Sequence, residues 1–315
     1  MGRFLLRRLV MLVLTLFVVS VIAFLVPYAA PGDPALTILR SRVADLATDP
    51  DTVAALRAQY GLDRPLVVQY LSWLRGALSG DLGYSFTSGA PVAMEVGRSI
   101  LVSLTLALSA LTLALAVALP LGTLAAMKPS GRVDEIATLL TQVFVAVPEY
   151  WLAPMGILVF TLWLGWLPSA GWHSISSAVL PSLVLSLRPM AYFTRITRAA
   201  MIDVLQAPYI TAARSRGLSL RETVLRHGIR NGAQPVVTLF ALWLAGLLGG
   251  SLVIEVIFAI PGMGRLIYEG AVNTDMPMLQ AAFIAIVALA VMINTLADLV
   301  YALLNPRVRY DRAGA

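Results

Sequence analysis

Along this chain apolar residues gather in six long blocks, set apart by shorter polar stretches in which arginine recurs. The blocks lie at about residues 9–27, 100–127, 136–167, 178–196, 236–257 and 279–303. A helix needs about 20 apolar residues to cross the hydrocarbon of a bilayer. The pattern therefore predicts an all-α integral membrane protein with six transmembrane helices. Residues 1–29 form an N-terminal transmembrane anchor, 30–98 an extracytoplasmic region, and 99–303 a core of five spans. Within that core a cytoplasmic loop covers about 199–235, and residues 304–315 form a cytoplasmic tail.

Two blocks need a decision. Arg3, Arg7 and Arg8 precede the first with no acid among them, which holds the N-terminus in the cytoplasm. That block is long for a signal-peptide core. Pro31, Asp33 and Pro34 follow it instead of a small-x-small cleavage site, so a retained anchor is expected. The third block is long enough for one tilted span or two short ones, and Pro148 lies inside it. One span puts 15 of the 23 basic residues in the cytoplasm, with both termini inside. Arginine bias therefore favours one helix broken at Pro148, its freed backbone groups satisfied by neighbouring helices.

Residues 30–98 carry six arginines and seven acids, close to neutrality. Apolar residues recur there at helical spacing from Thr52 to Leu78, so the stretch is expected to be ordered, with Asp51 as a helix cap. Composition agrees with the membrane class. Apolar residues make up 59% and charged ones 13%, against about 25% charged in a soluble domain. The net charge of +6 sits beside apolar blocks and is not interleaved with aromatics, so it marks topology and not nucleic acid. Cysteine is absent, and no disulfide framework exists.

The segment from Tyr209 to Pro235 is the most informative polar stretch. It carries Arg214, Arg216, Arg221, Arg226 and Arg230 and reads as two short helices. Gly217 suits the left-handed residue that ends the first. Ser219 with Glu222 three residues on is a capping box that starts the second. His227 stands among the arginines, where docking or capping is expected of it. A basic helix pair between spans offers a surface to a cytoplasmic partner.

Catalytic chemistry is thin. Lys128 is the only lysine, with Met127 before it and Pro129 after it, so GxxxxGK[ST] cannot occur and ATP is not hydrolysed by that route. His173 and His227 fall on opposite sides of the membrane, and HExxH, CxxC and GxSxG are all absent. No catalytic residue, metal ligand or bound cofactor is expected. Charges inside spans are costly. Arg188 lies near the middle of the fourth block, followed by Pro189. Glu149, Glu255 and Asp298 lie near a break or an end. Arg188 and Glu255 are candidates for the translocation path, where Arg188 would attract a carboxylate; pairing of Arg188 with Glu255 or Asp298 explains it equally. Gly246, Gly249 and Gly250 make a small-residue face that serves either close packing or the path.

Nearly the whole chain resembles the first-type permease subunit of the dipeptide, oligopeptide and nickel ABC importers. The residues that carry this are Arg7-Arg8, Pro31-Gly32-Asp33-Pro34, Tyr60-Gly61-Leu62-Asp63 and Gly80-Asp81-Leu82-Gly83. They continue with Gly165-Trp166-Leu167-Pro168, Pro261-Gly262-Met263-Gly264-Arg265 and Asn305-Pro306-Arg307, in that order. The polar segment resembles the family's coupling motif through Ala212, Ala213, Gly217 and Pro235. Thr211 stands where the motif has glutamate.

The resemblance implies a MetI-like, type I importer permease in a bacterial inner membrane. Its partners would be a second, homologous permease, two ABC ATPases that use ATP and magnesium, and an extracytoplasmic solute-binding protein. The cargo would be di- or oligopeptides, or alternatively nickel, a metal chelate or glutathione. A secondary transporter is the reading from another class. It would show midplane ionisable pairs and internal repeats, which this sequence does not display.

Overall fold

The computed structural model describes residues 2–29, 54, 58 and 63–304. All named elements among them are helical. They are α1 (Gly2–Ala29), α2 (Leu66–Leu78), α3 (Val92–Met127), α4 (Arg132–Ala146), α5 (Glu149–Gly156), α6 (Ile175–Leu205), α7 (Pro208–Ser215), α8 (Leu220–Thr223), α9 (Ile229–Gly232), α10 (Gln234–Gly250), α11 (Leu252–Ile257), α12 (Met263–Val272) and α13 (Met276–Leu304). Two π-helical stretches, Ile157–Trp163 and Val224–Gly228, extend α5 and α8. The chain forms two compact units. One is Met1–Ser103 with Pro261–Met292, the other Leu104–Ile260 with Ile293–Ala315.

In the first unit an aromatic cluster joins α1 to α2. Phe24 meets Tyr70 edge-on at 5.4 Å and Trp73 at 5.9 Å, and Ser20 Oγ lies 2.8 Å from the Tyr70 hydroxyl. Val92, Val96, Met263, Met278, Ala281 and Ala282 form a separate buried core in this unit. Asp275 fastens this unit's turn. Its carboxylate accepts from Ser85 Oγ, from Thr87 N at 3.2 Å and from Met278 N at 3.4 Å. The last bond makes Asp275 the cap of α13. Sequence reasoning passed over Asp275, although an acid directly before an apolar block is a readable cap signal.

Three helical stretches are long and apolar enough to cross a membrane: Arg8–Leu25, Val92–Met127 and Met276–Ala297. Their windows are only 17–39% buried within the chain. Lipid or a partner must cover the rest, because water would not tolerate so much apolar surface. The third block breaks where expected: α4 and the helix from Glu149 to Trp163 meet at 96° around Pro148.

Three expectations need correction. The amphipathic run from Thr52 does not continue to Leu78 as one helix, since α2 starts only after Pro65, whose ring fixes an extended entry. Asp51 lies outside the described residues, as do Pro31-Gly32-Asp33-Pro34, Tyr60-Gly61-Leu62 and Asn305-Pro306-Arg307. The fifth block is not continuous. It stops after Gly250, turns at Ser251 and resumes as α11. The fourth block grows into the 31-residue α6, about 46 Å at 1.5 Å per residue. That is enough to cross a bilayer and project beyond it.

Candidate functional site

The polar segment folds as its residues dictate. Pro208 opens α7, where its missing N–H costs nothing. At the other end, Ser215 Oγ donates to Thr211 O at 3.0 Å, and Arg216 Nε donates at 3.2 Å to Ala212 O, a carbonyl that the helix leaves open. Gly217 then takes φ +91°, a left-handed value that an L side chain resists. The capping box follows. Glu222 N donates to Ser219 Oγ at 3.3 Å, and Ser219 N donates back to Glu222 Oε2 at 3.1 Å. The Ser219 hydroxyl also donates to that carboxylate at 2.8 Å. These bonds, the hydroxyl's first, hold the Glu222 carboxyl below its ordinary range, with help from the Arg226 charge.

A long helix carries this segment. Met201 of α6 is buried with Ala126 and Val224. A Cβ at Gly232 would come within 2.5 Å of Met201 Sδ, and one at Gly228 within 3.0 Å of its Cε. The two glycines, one helical turn apart, let the second short helix sit on Met201. Sequence reasoning missed Met201; the Gly228 and Gly232 spacing was the available signal.

Exposure sorts the candidate contact residues. Thr211, Ala212, Ser219, Glu222, Arg226, His227 and Pro235 are exposed, as are Arg214, Arg216 and Arg221. Ala213 is 1% exposed and packs inward, so of the two small residues only Ala212 faces out. A cleft of about 460 Å³ lies in the elbow, lined by Thr211, Arg214, Gly217, Leu218 and Leu220 among others. The segment thus presents a concave, cationic surface with a fixed turn.

Two further contacts hold its stem. Asp134 of α4 pairs with Arg198 of α6 through both carboxylate oxygens and accepts Ser130 N at 2.8 Å. Gly122 of α3 lies so close to α6 that a Cβ there would sit 2.7 Å from Thr194 O.

The span charges fall in different settings. Glu255 is fully buried and accepts Ser251 Oγ at 2.8 Å. Arg188 is exposed, and among the described side chains, which do not include that of Asp298, no carboxylate lies within ion-pair distance of it. Half-buried Glu149, beside the Pro148 break, feels its charge. Gly246, Gly249 and Gly250 are exposed. A Cβ at Gly246 or Gly250 would meet nothing within 4 Å, so these two do not serve helix packing inside the described chain. His173 is exposed at the head of α6, where its amide donates to Ser177 Oγ. Among the described residues no group of acidic or histidine side chains is arranged to hold a metal.

Residues 118–310 match the family described as binding-protein-dependent transport system inner membrane component. Residues 1–109 match the N-terminal part of such membrane components. A protein of Brucella abortus (strain 2308) that carries the name of a peptide transport system permease is 35% identical over 319 residues, 99% of this chain and 100% of that protein. The glutathione transport system permease protein GsiC of Escherichia coli (strain K12) is 36% identical over 310 residues, 98% of this chain and 100% of GsiC. Among solved structures, an inward-facing MetNI methionine ABC transporter shares the fold. Its TM-score is 0.58 at 16% identity, covering 67% of this chain and 96% of that one.

Proposed function

This chain belongs to the binding-protein-dependent transport system inner membrane components, so it is a multi-pass permease subunit of an ABC importer and not itself the ATPase, and we propose that it conducts short peptides. The names of its relatives support that cargo, in one case peptides in general and in the other glutathione. We read six crossings with both termini cytoplasmic, the bent pair around Pro148 counting as one. A second, similar permease would complete the path, and two ATPases would supply the force. A solute-binding protein would deliver the cargo from outside.

One observation carries the mechanical part of this reading: the Gly217 turn and the Ser219–Glu222 box fix the angle between two short helices on the end of α6. Such a rigid elbow can fill a cleft on an ATPase and pass its movement into a membrane helix. Thr211, Ala212, Ser219, Arg226 and His227 would make the contact, with Ala213 and Pro235 supporting it. Arg188, Gly246, Gly249 and Gly250 would line the path, and buried Glu255 would stiffen it from within. An unpaired cation at mid-span costs at least about 2.5 kcal/mol on insertion scales, which disfavours a lipid-facing Arg188.

The test is co-purification followed by transport. The chain should bring down an ATPase and a second permease. The complex, in vesicles with the cognate binding protein, should import labelled peptide only with ATP. Uptake driven by an ion gradient, with no ATPase in the complex, would replace this reading with a secondary transporter.

A further inference from the structure

An exposed cation and a half-buried anion face one another in the second unit. Arg188 is exposed without a carboxylate at ion-pair distance among the described side chains, and Glu149 is near enough to feel it. Tyr192 follows Arg188 at i+4, on the same face of α6. Tyr192 is 41% exposed, and its ring lies 5.5 Å from that of Trp243 on α10. Gly246 and Gly250 follow Trp243 at i+3 and i+7, again one face, with open space where side chains would be. Helix α6 packs against both α5 and α10, so an anion, a cation, a ring pair and bare backbone are carried on three neighbouring helices.

Hydrocarbon offers nothing to either charge, and a cation and anion meant only to cancel would close into a pair. A peptide with free termini answers both. Its carboxylate suits the guanidinium and its ammonium suits the carboxylate. Aromatic rings and glycine backbone accept varied side chains without selecting among them. Resting on the peptide-importer reading above, we propose that Glu149, Arg188 and the Tyr192–Trp243 pair form a transit site for zwitterionic short peptides. The site reads the two termini and not the side chains. A zwitterionic lipid headgroup carries similar charges, and the test separates the two.

The assembled transporter, with its ATPases, partner permease and binding protein, is reconstituted in vesicles. Uptake of trialanine, trialanine amide and N-acetyl-trialanine is measured for the wild type, Arg188→Gln, Arg188→Lys and Glu149→Gln. Ratios between peptides are taken within one preparation, so differences in yield cancel. The binding protein is the same throughout, so its own selectivity cancels between variants. Arg188→Gln should lower the trialanine-to-amide ratio about tenfold, the worth of one charge-assisted bond. It should spare the ratio to the N-acetyl peptide, and Arg188→Lys should keep most of the preference. Glu149→Gln should do the reverse, lowering the ratio to the N-acetyl peptide.

If wild type imports trialanine and neither ratio moves beyond about twofold, the transit site is wrong while the importer reading stands. Rates that follow the vesicle's phosphatidylethanolamine content with fixed peptide ratios would assign the charges to lipid and overturn the proposal. If wild type hydrolyses ATP yet imports none of the three peptides, the peptide reading falls and this site falls with it.

Discussion

Arg198 Nη2 donates to Asp134 Oδ2 at 2.7 Å while Nε of the same guanidinium donates to Oδ1. The carboxylate is nearly enclosed, with 7% of its side chain exposed, and it also accepts Ser130 N. One acid thus ties the Lys128–Arg132 turn to α6, the helix that carries the polar segment. Removing Arg198 leaves a buried charge with only a backbone donor. Arg198→Gln should cost about 1–3 kcal/mol, discounted because a third of the Arg198 side chain is exposed. Asp134→Asn should cost less, since an amide oxygen keeps one of the bonds. Thermal unfolding of the purified complex measures both, and the reverse order would disprove the clamp.

Gly217→Val should cost about 1 kcal/mol or more, because a β-branched residue resists φ +91°. The loss should appear as weaker ATPase association and slower transport at normal membrane insertion. Gly217→Asn should fall between, since Asn tolerates that region. Steric clash is not the reason, because a Cβ there meets nothing within 4 Å. Full association in the valine variant would contradict the docking role.

Glu222 sets a pH limit. Its folded carboxyl titrates below the ordinary value of 4.5, so the box's contribution is fully present above that value. The contribution is lost as pH falls through the lowered folded value. Amide protection across Ser219–Thr223, corrected for intrinsic exchange, should hold at neutral and mildly acid pH and drop only below the usual carboxylate range. Glu222→Gln should remove that acid-dependent step. A step in the wild type above pH 5 would contradict the lowered carboxyl.

Gly122→Ala should destabilise by about 1–3 kcal/mol through overpacking, because its Cβ would lie 2.7 Å from Thr194 O and 2.8 Å from Thr197 Cβ. The backbone oxygen cannot swing aside as a side-chain end can. Assembled complex recovered from membranes reports the effect. An alanine variant as stable as wild type would mean that α3 and α6 separate freely there.

Topology can be read by labelling, and the native chain has no cysteine to interfere. A cysteine at Ser219 should resist a membrane-impermeant maleimide in intact cells, while one at Ser88 should react. The opposite pattern would invert the chain. Reaction at both would mean that α4 and the helix from Glu149 each cross the membrane.

Much of the molecule was legible in one dimension because its determinants are local. Burial in lipid demands long apolar runs, so α1, α3 and α13 stand out as composition alone. Pro148 marks the break in the third block, although Pro120, Pro181 and Pro189 lie inside continuous helices, and Gly217 with Ser219 and Glu222 encodes a turn and a cap within six residues. Boundaries were less legible. Gly249-Gly250 before Ser251 was a readable break signal inside the fifth block that its apolar run masked, and Pro65 marked where α2 starts.

What tertiary structure decided are the meetings of residues far apart in sequence. Asp134 finds Arg198 across 64 positions, Ser85 finds Asp275 across 190, and Met201 finds Gly228 and Gly232. Local pattern cannot rank such partners, because many acids, arginines and glycines are equally available until the helices pack. Packing also turned Ala213 inward, enclosed Glu255, and left Arg188, Gly246 and Gly250 open. A residue type states what a side chain can do, and only the surrounding helices fix what it can reach.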